Sequence, residues 1–182
     1  MVTTAGYTVF LLITATERVA ELIISRRNAS WALRSGGLEF GRSHFPFMVA
    51  LHAALLLGCL LEPWLLDRPF IPALGIVMLA VALACQALRW WVIATLGPRW
   101  NTRVIVLPGR PLVTGGPFRY LRHPNYLAVV CEGIALPLIH SAWMTAVIFT
   151  VANAALLVVR VRVENDALAL RGARVTNPED VS

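Results

Sequence analysis

Residues 71–98 read IPALGIVMLAVALACQALRWWVIATLGP. Up to Leu96 the run is apolar except for Gln86 and Arg89, which lie about one helical turn apart. It exceeds the roughly 20 apolar residues a helix needs to cross the hydrocarbon core of a bilayer. Gly97-Pro98 then supplies a stop signal. Working outward, apolar stretches at 7–24 and 45–61 precede it. Two more, at 125–139 and 142–159, follow it and are joined by a tight His140-Ser141 turn. The pattern predicts an all-α integral membrane protein: a bundle of about five transmembrane helices in a single domain over residues 1–182. The fourth stretch is short for a full crossing, which suits a start inside the interface.

Composition agrees. The chain is 58% hydrophobic and 14% charged, with a mean hydropathy of +0.69, whereas soluble domains run near 45–50% apolar and about 25% charged. All 16 basic residues are Arg, a bias that points to a GC-rich bacterial genome and hence to a bacterial plasma membrane. Arg26, Arg27, Arg34 and Arg42 separate spans one and two. Arg99, Arg103, Arg110, Arg119 and Arg122 separate spans three and four, and Arg160, Arg162, Arg171 and Arg174 follow span five. The other two connections hold only Arg68. The positive-inside rule therefore predicts an outside N-terminus and a cytoplasmic C-terminus.

In a soluble protein, a net charge of +6 and a pI near 10.2 would suggest nucleic acid as a partner. Here the Arg excess sits at membrane edges, where orientation and anionic lipid headgroups account for it, so no nucleic acid is expected. Cys59, Cys85 and Cys131 are isolated within apolar stretches, with no metal-ligand spacing. They read as small packing residues, and no metal is expected. The first stretch lacks a basic lead and reads as a retained span, not a signal peptide.

Ionisable residues at membrane depth are costly and call for a reason. For Glu17, Arg18 and Glu21 the plainest is local pairing with snorkelling to the nearby interface. His52, in mid-span, reads as a hydrogen-bonded packing histidine. Arg89 and Glu132 make a plausible interhelical pair; the alternative gives Arg89 a substrate contact and Glu132 a catalytic one.

The segment 112–126 reads LVTGGPFRYLRHPNY. Gly115-Gly116 permits unusual backbone conformations and close approach to a ligand. Pro124 suits the first turn of a helix, and the amides after it would be free donors, a setting for a carboxylate such as that of a cofactor's methionine part. An ordinary interfacial loop is the competing reading. Beyond the last span, Arg160/Glu164 and Arg162/Asp166 are i,i+4 pairs that could be mutual salt bridges. Otherwise Glu164 would bind ribose hydroxyls and Arg160 would face an anionic acceptor. Spacing leaves both open.

Taken together, the Leu-Val-x-x-Gly-x-aromatic lead, Arg122-His123-Pro124-x-Tyr126, a helical hairpin and the Arg160-x-x-x-Glu164 exit resemble the isoprenylcysteine carboxyl methyltransferase family, over about 86–168. The resemblance implies a cytoplasmic pocket for S-adenosyl-L-methionine. The cofactor contacts it carries over are Pro111, Leu112, Val113, Phe118, His123, Pro124, Asn125 and Tyr126, with Glu164 closing the pocket and Arg110 flanking it. Arg160 falls where the family places its acceptor-binding Arg. Phe118 stands where Tyr is commoner, and the tail after Leu170 is shorter than in eukaryotic members. Glu17-Arg18-x-x-Glu21, Asn28-x-x-Trp31, Glu39-Phe40-Gly41 and Trp100-Asn101-Thr102 resemble a bacterial branch that accompanies type III polyketide synthases and O-methylates alkylpyrones or alkyl phenolics.

The implied acceptor is a lipophilic small molecule or a prenylated carboxylate entering from the bilayer. Membrane lipids are further partners, and a homo-oligomer is left open. An acidic acceptor held by Arg160 needs no base; a neutral hydroxyl would need His123 or Glu132. Two other readings are carried: an NADPH-dependent membrane reductase of the sterol-reductase-like group, with its Arg-His-x-x-Tyr element, and a non-enzymatic lipid-binding protein.

Overall fold

A computed structural model of the chain describes residues 2–175, with side chains over 4–169. The described residues form five α-helices: α1 (Val2–Arg34), α2 (Phe45–Leu65), α3 (Pro72–Leu96), α4 (Pro124–Leu138) and α5 (Trp143–Val175). A ribbon of two short strands, β1 (Leu38–Phe40) and β2 (Val104–Val106), lies at one end of the bundle. The side chains of Arg171 and Arg174, and the tail from 176 onward, lie outside the described residues.

Three helices begin with Pro in their first turn, where its missing amide and fixed φ cost nothing. α3 stops at Gly97 as the sequence predicts, with φ 53°. The end helices differ from expectation. α1 and α5 each run 33 residues, about 50 Å at 1.5 Å per residue, well past a hydrocarbon core of roughly 30 Å. Arginines at 26–27 and 160–162 mark a membrane edge, but nothing there breaks a helix. α1 ends only where Gly36 takes φ 81° and the Gly37 amide bonds back to the Ala32 carbonyl at 2.9 Å.

Arg42–Leu65, Pro72–Arg99 and Trp143–Ala169 are long and apolar enough to cross a bilayer. Their outer faces show Phe47, Trp64, Ile76 and Val151 to the surroundings, as an integral membrane protein requires. α4 has 15 residues and stays short of that measure.

α1 falls below it because of its charges, and these do not snorkel. Arg18 pairs locally with Glu21 at 3.0 Å but also reaches Glu132 on α4 at 3.5 Å. Arg89 pairs with Glu132, as expected, and lies 3.6 Å from Glu21. Gln86 bridges Arg18 and Glu17. The cluster points inward and ties α1, α3 and α4 together.

The apolar core joins Tyr7, Leu11, Leu55, Cys59, Leu136 and Phe149, with Cys59 fully buried as a packing residue. Gly133 lets α4 lie against α5: a Cβ there would meet Phe149 at 2.1 Å. At the end opposite the ribbon, the buried Glu62 of α2 accepts from the Met144 and Thr145 amides at 3.1 and 2.7 Å, capping α5 from a neighbouring helix.

The ribbon is an addition to the expected all-α fold. Leu38 pairs with Val106 and Phe40 with Val104, and Val104, Val106 and Ala167 pack together with Phe40 and Val163. Strands of three residues carry too short a pattern to announce themselves. Asn28 completes the frame, donating to the Gly97 and Trp100 carbonyls at 3.2 and 2.8 Å and so fastening α1 to the start of the 99–123 segment.

Candidate active site

The 99–123 segment folds back over the end of α3 and the extension of α5, and two adjoining cavities lie beneath it. One, of about 170 Å³, is lined by Phe118, His123, Pro124, Asn125, Tyr126, Arg160 and Glu164. The other, of about 470 Å³, shares Phe118, His123 and Glu164 and adds Arg110, Pro111, Leu112 and Val113. All ten residues expected at the cofactor thus meet in one place. Arg99 holds the Pro111 carbonyl at 2.9 Å, and Arg110 lies 5.8 Å over the Trp31 ring. The first contact closes the segment on its own start just beyond α3, and the second ties it to α1.

Gly116 adopts φ 57°, and a Cβ there would clash with Thr95 on α3, so this turn requires a glycine; a Cβ at Gly115 would have nothing within 4 Å. One local expectation needs correction. At the start of α4, the Tyr126 amide bonds back to the His123 carbonyl at 3.1 Å and so is not a free donor. What the helix start does offer is Asn125 Oδ1, buried and without a partner.

Tyr126 is the centre of the site. Its ring stacks on His123 with centroids 5.2 Å apart. Its hydroxyl donates to Glu164 and accepts from Arg160 Nε at 3.0 Å. Arg160 also reaches Met48 Sδ at 3.2 Å. Among the described residues, neither Arg160–Glu164 nor Arg162–Asp166 forms the i,i+4 ion pair that spacing allows. The phenol from α4 stands between Arg160 and Glu164 and engages both. No pattern in the sequence announces that contact, because it joins residues 38 positions apart.

Behind Tyr126 lies a third cavity of about 300 Å³, walled mainly by Phe45, Met48, Val49, Leu56, Val129 and Leu157. Val19 of α1 and Val49 of α2, which also line it, are exposed at 57% and 38%. Asn125, Tyr126 and Arg160 line both this cavity and the first. Arg89 lines the apolar cavity. Glu132 lines neither it nor the two polar ones; it belongs to the ion cluster. His52 donates from Nδ1 to the Met48 carbonyl at 2.8 Å, the packing role expected of it. The described residues hold no group of three or more metal-ligating side chains.

Comparison with known proteins bears on this architecture. An uncharacterized protein, YpbQ, of Bacillus subtilis strain 168 is 39% identical over 153 residues, 84% of this chain and 90% of that protein. An uncharacterized protein of Haemophilus influenzae is 26% identical over 153 residues, covering 84% and 88% of the two chains. The sequence model of the isoprenylcysteine carboxyl methyltransferase family matches residues 77–170, which span α3, the loop over the cavities, α4 and the wall supplied by α5. On that match, and on the extent of the likeness to YpbQ, the chain belongs to the isoprenylcysteine carboxyl methyltransferase family of membrane methyltransferases.

Proposed function

We propose that the protein transfers a methyl group from S-adenosyl-L-methionine to an oxygen of a lipophilic, anionic acceptor. One observation carries this reading: Asn125, Tyr126 and Arg160 line both a polar cavity under the loop and an apolar cavity between the helices. Two chemically opposite ligands can therefore meet at one set of side chains.

The residues present fit the cofactor. Glu164 offers a carboxylate to ribose hydroxyls, and Pro111, Leu112, Val113 and Phe118 offer an apolar wall to a base. Asn125 and His123 add polar side chains to the smaller polar cavity. When bound, the cofactor supplies an electrophilic methyl group on a sulfonium. The chain's own work is to bind, to align and to exclude water. Arg160, with its Nε tied to the Tyr126 hydroxyl, holds the acceptor's anion in a fixed orientation. A carboxylate or the acidic enol of a hydroxypyrone is already ionised near neutral pH and needs no base. For a weakly acidic phenol, His123 is the candidate base, because it lines the polar cavities and Glu132 does not.

The acceptor classes supported are an alkylpyrone or alkyl phenolic hydroxyl and a prenylcysteine-type carboxylate, entering sideways between α1 and α2. The N-terminus lies outside and the pocket faces the cytoplasm of a bacterial cell, in keeping with the Arg distribution. Calorimetry on detergent-purified protein tests the cofactor. Saturable binding of S-adenosylhomocysteine with none of NADPH is expected; the opposite result would favour a membrane reductase, and binding of neither would remove the enzymatic reading.

A further inference from the structure

The loop over the polar cavities has an outer surface that methyl transfer, as derived above, does not use. Gly116–Arg119 is a single 3-10 turn, in which successive side chains point about 120° apart. Phe118 lines both polar cavities, whereas Arg119 and Tyr120 line neither and stand exposed, Tyr120 at 74%. The turn meets α3 through Gly116, which fits against the Thr95 side chain. Thr95 lies four residues beyond Trp91, so both occupy one face of α3, and its hydroxyl donates to the Trp91 carbonyl at 2.8 Å. Trp91 is 48% exposed on a helix long enough to cross the bilayer, so that face looks onto lipid. The turn therefore stands just beyond a lipid-facing aromatic, at the depth where headgroups lie.

The exposed residues suit that depth. Trp91 and Tyr120 are the aromatic types that settle at a membrane interface. Leu121 and Leu127 are exposed nearby in the chain, an arrangement that water does not reward and an acyl boundary does. Among the described residues, Arg119 enters no ion pair, and neither does Arg122 at the cavity rim. Arg34 on α1 and Arg162 on α5 repeat the pattern, exposed and without an ion pair at the same end of the bundle. A guanidinium matches a phosphate in geometry and charge. A soluble anion would answer the arginines but not their apolar neighbours; an anionic phospholipid answers both.

Resting on the reading of the polar cavities as the cofactor site, we infer that anionic phospholipids of the cytoplasmic leaflet bind the 116–122 segment and hold Phe118 against the cofactor. The lipid phosphate sits on Arg119, while Tyr120 and Leu121 enter the interface. Phe118, one residue back on the same turn, is thereby fixed in the cavity wall. Arg119 is a positioning residue: it lines no polar cavity and acts through Phe118.

Hydrogen exchange of the full chain in nanodiscs tests the lipid contact without cofactor. The amides of Phe118, Tyr120 and Leu121 donate to the Gly115, Pro117 and Pro117 carbonyls at 3.2, 3.1 and 3.1–3.0 Å, so seating the turn slows their exchange. Exchange over 115–122 should be about fivefold slower in phosphatidylglycerol than in phosphatidylcholine, the scale of one Arg at an anionic surface. Residues 107–112 of the same segment serve as the reference for surface pH. Arg119→Gln should remove most of the difference, and Tyr120→Ser, the second variant, should reduce it. Calorimetry then reads the coupling. S-adenosylhomocysteine carries no net charge, so an anionic surface does not concentrate it; its affinity should still rise about fivefold in phosphatidylglycerol, and Arg119→Gln should lose that gain. Equal exchange in the two membranes, or a difference that survives both substitutions, overturns the inference and leaves the surface to a protein partner. Inorganic phosphate reproducing the effect in phosphatidylcholine also overturns it, because the lipid is the proposed source. Slower exchange with unchanged S-adenosylhomocysteine affinity overturns the coupling through Phe118. No binding of S-adenosylhomocysteine in either membrane would instead overturn the methyltransferase reading, since the exchange comparison does not involve it.

Discussion

On the proposed reading, Arg160, Tyr126 and Glu164 divide the work at the site, and each division can be measured. Arg160 lines the junction of the polar and apolar cavities, so its removal should act on the acceptor's anion. Arg160→Ala is expected to lower turnover by about 100-fold, the scale of losing a charged contact made to the reacting group. Cofactor affinity, measured by calorimetry, should stay close to that of the unsubstituted protein. Equal losses in both would contradict the assignment. Tyr126→Phe keeps the ring that stacks on His123 but deletes the hydroxyl separating Arg160 from Glu164. The two are then free to form the i,i+4 pair their spacing permits, drawing Arg160 away from the acceptor. Single-turnover kinetics should show methyl transfer slowed by about tenfold, and a second substitution, Glu164→Gln, should restore none of it if Glu164 also serves the cofactor. At this scale the sequence was legible wherever a motif lies within a few positions, as in Arg122-His123-Pro124. It was illegible where a partner comes from another helix: the hydroxyl of Tyr126 between Arg160 and Glu164 is a tertiary fact.

Among the elements, α4 carries two kinds of contact that differ in their tolerance of change. Its Glu132 meets Arg18 and Arg89 in the buried cluster. Glu132→Leu leaves two guanidinium groups short of their carboxylate and should lower stability by about 3–5 kcal/mol. Replacing both ends, in Arg89→Met with Glu132→Leu, should cost less than the single change, because a buried pair exchanged for apolar groups is often neutral. Thermal unfolding in detergent compares them; a double variant weaker than the single would show that the cluster does more than clamp helices. Gly133 packs against Phe149 so closely that Gly133→Ala must displace the ring. That overpacking is expected to cost about 1–3 kcal/mol, again read as a lowered unfolding midpoint. The apolar stretches match α3 and α4 to within a residue at each end, and α2 except for its last turn, which continues through Glu62-Pro63 to Leu65. They undercounted α1 and α5, because a change from apolar to Arg-rich sequence reports the membrane boundary and says nothing about where hydrogen bonding along the helix ends. The ribbon of β1 and β2 went unread for a related reason: Val104 to Val106 looks like a brief apolar run inside a polar loop until Leu38 to Phe40 is set beside it.

For the molecule as a whole, orientation decides whether the chemistry is feasible. The ribbon, the 99–123 segment and the polar cavities share one end of the bundle, and Glu62 caps α5 at the other. A charged, soluble cofactor is supplied from inside the cell, so the loop end must face the cytoplasm for the proposed reaction to run. The arginines argue for the same arrangement on independent grounds, since the two connections at the loop end hold nine of the sixteen and the turn between α2 and α3 holds only Arg68. Single cysteines test it directly. Ser35 follows α1 at the loop end and Pro69 lies in the turn between α2 and α3; both are exposed. Cys59 and Cys85 are buried and Cys131 is partly so, which keeps the background reaction low. In intact cells a membrane-impermeant maleimide should label Pro69→Cys and leave Ser35→Cys unmodified until the membrane is opened. The reverse pattern would put the polar cavities outside, where no such cofactor is available, and the proposed reaction would lose its donor even with every side chain in place.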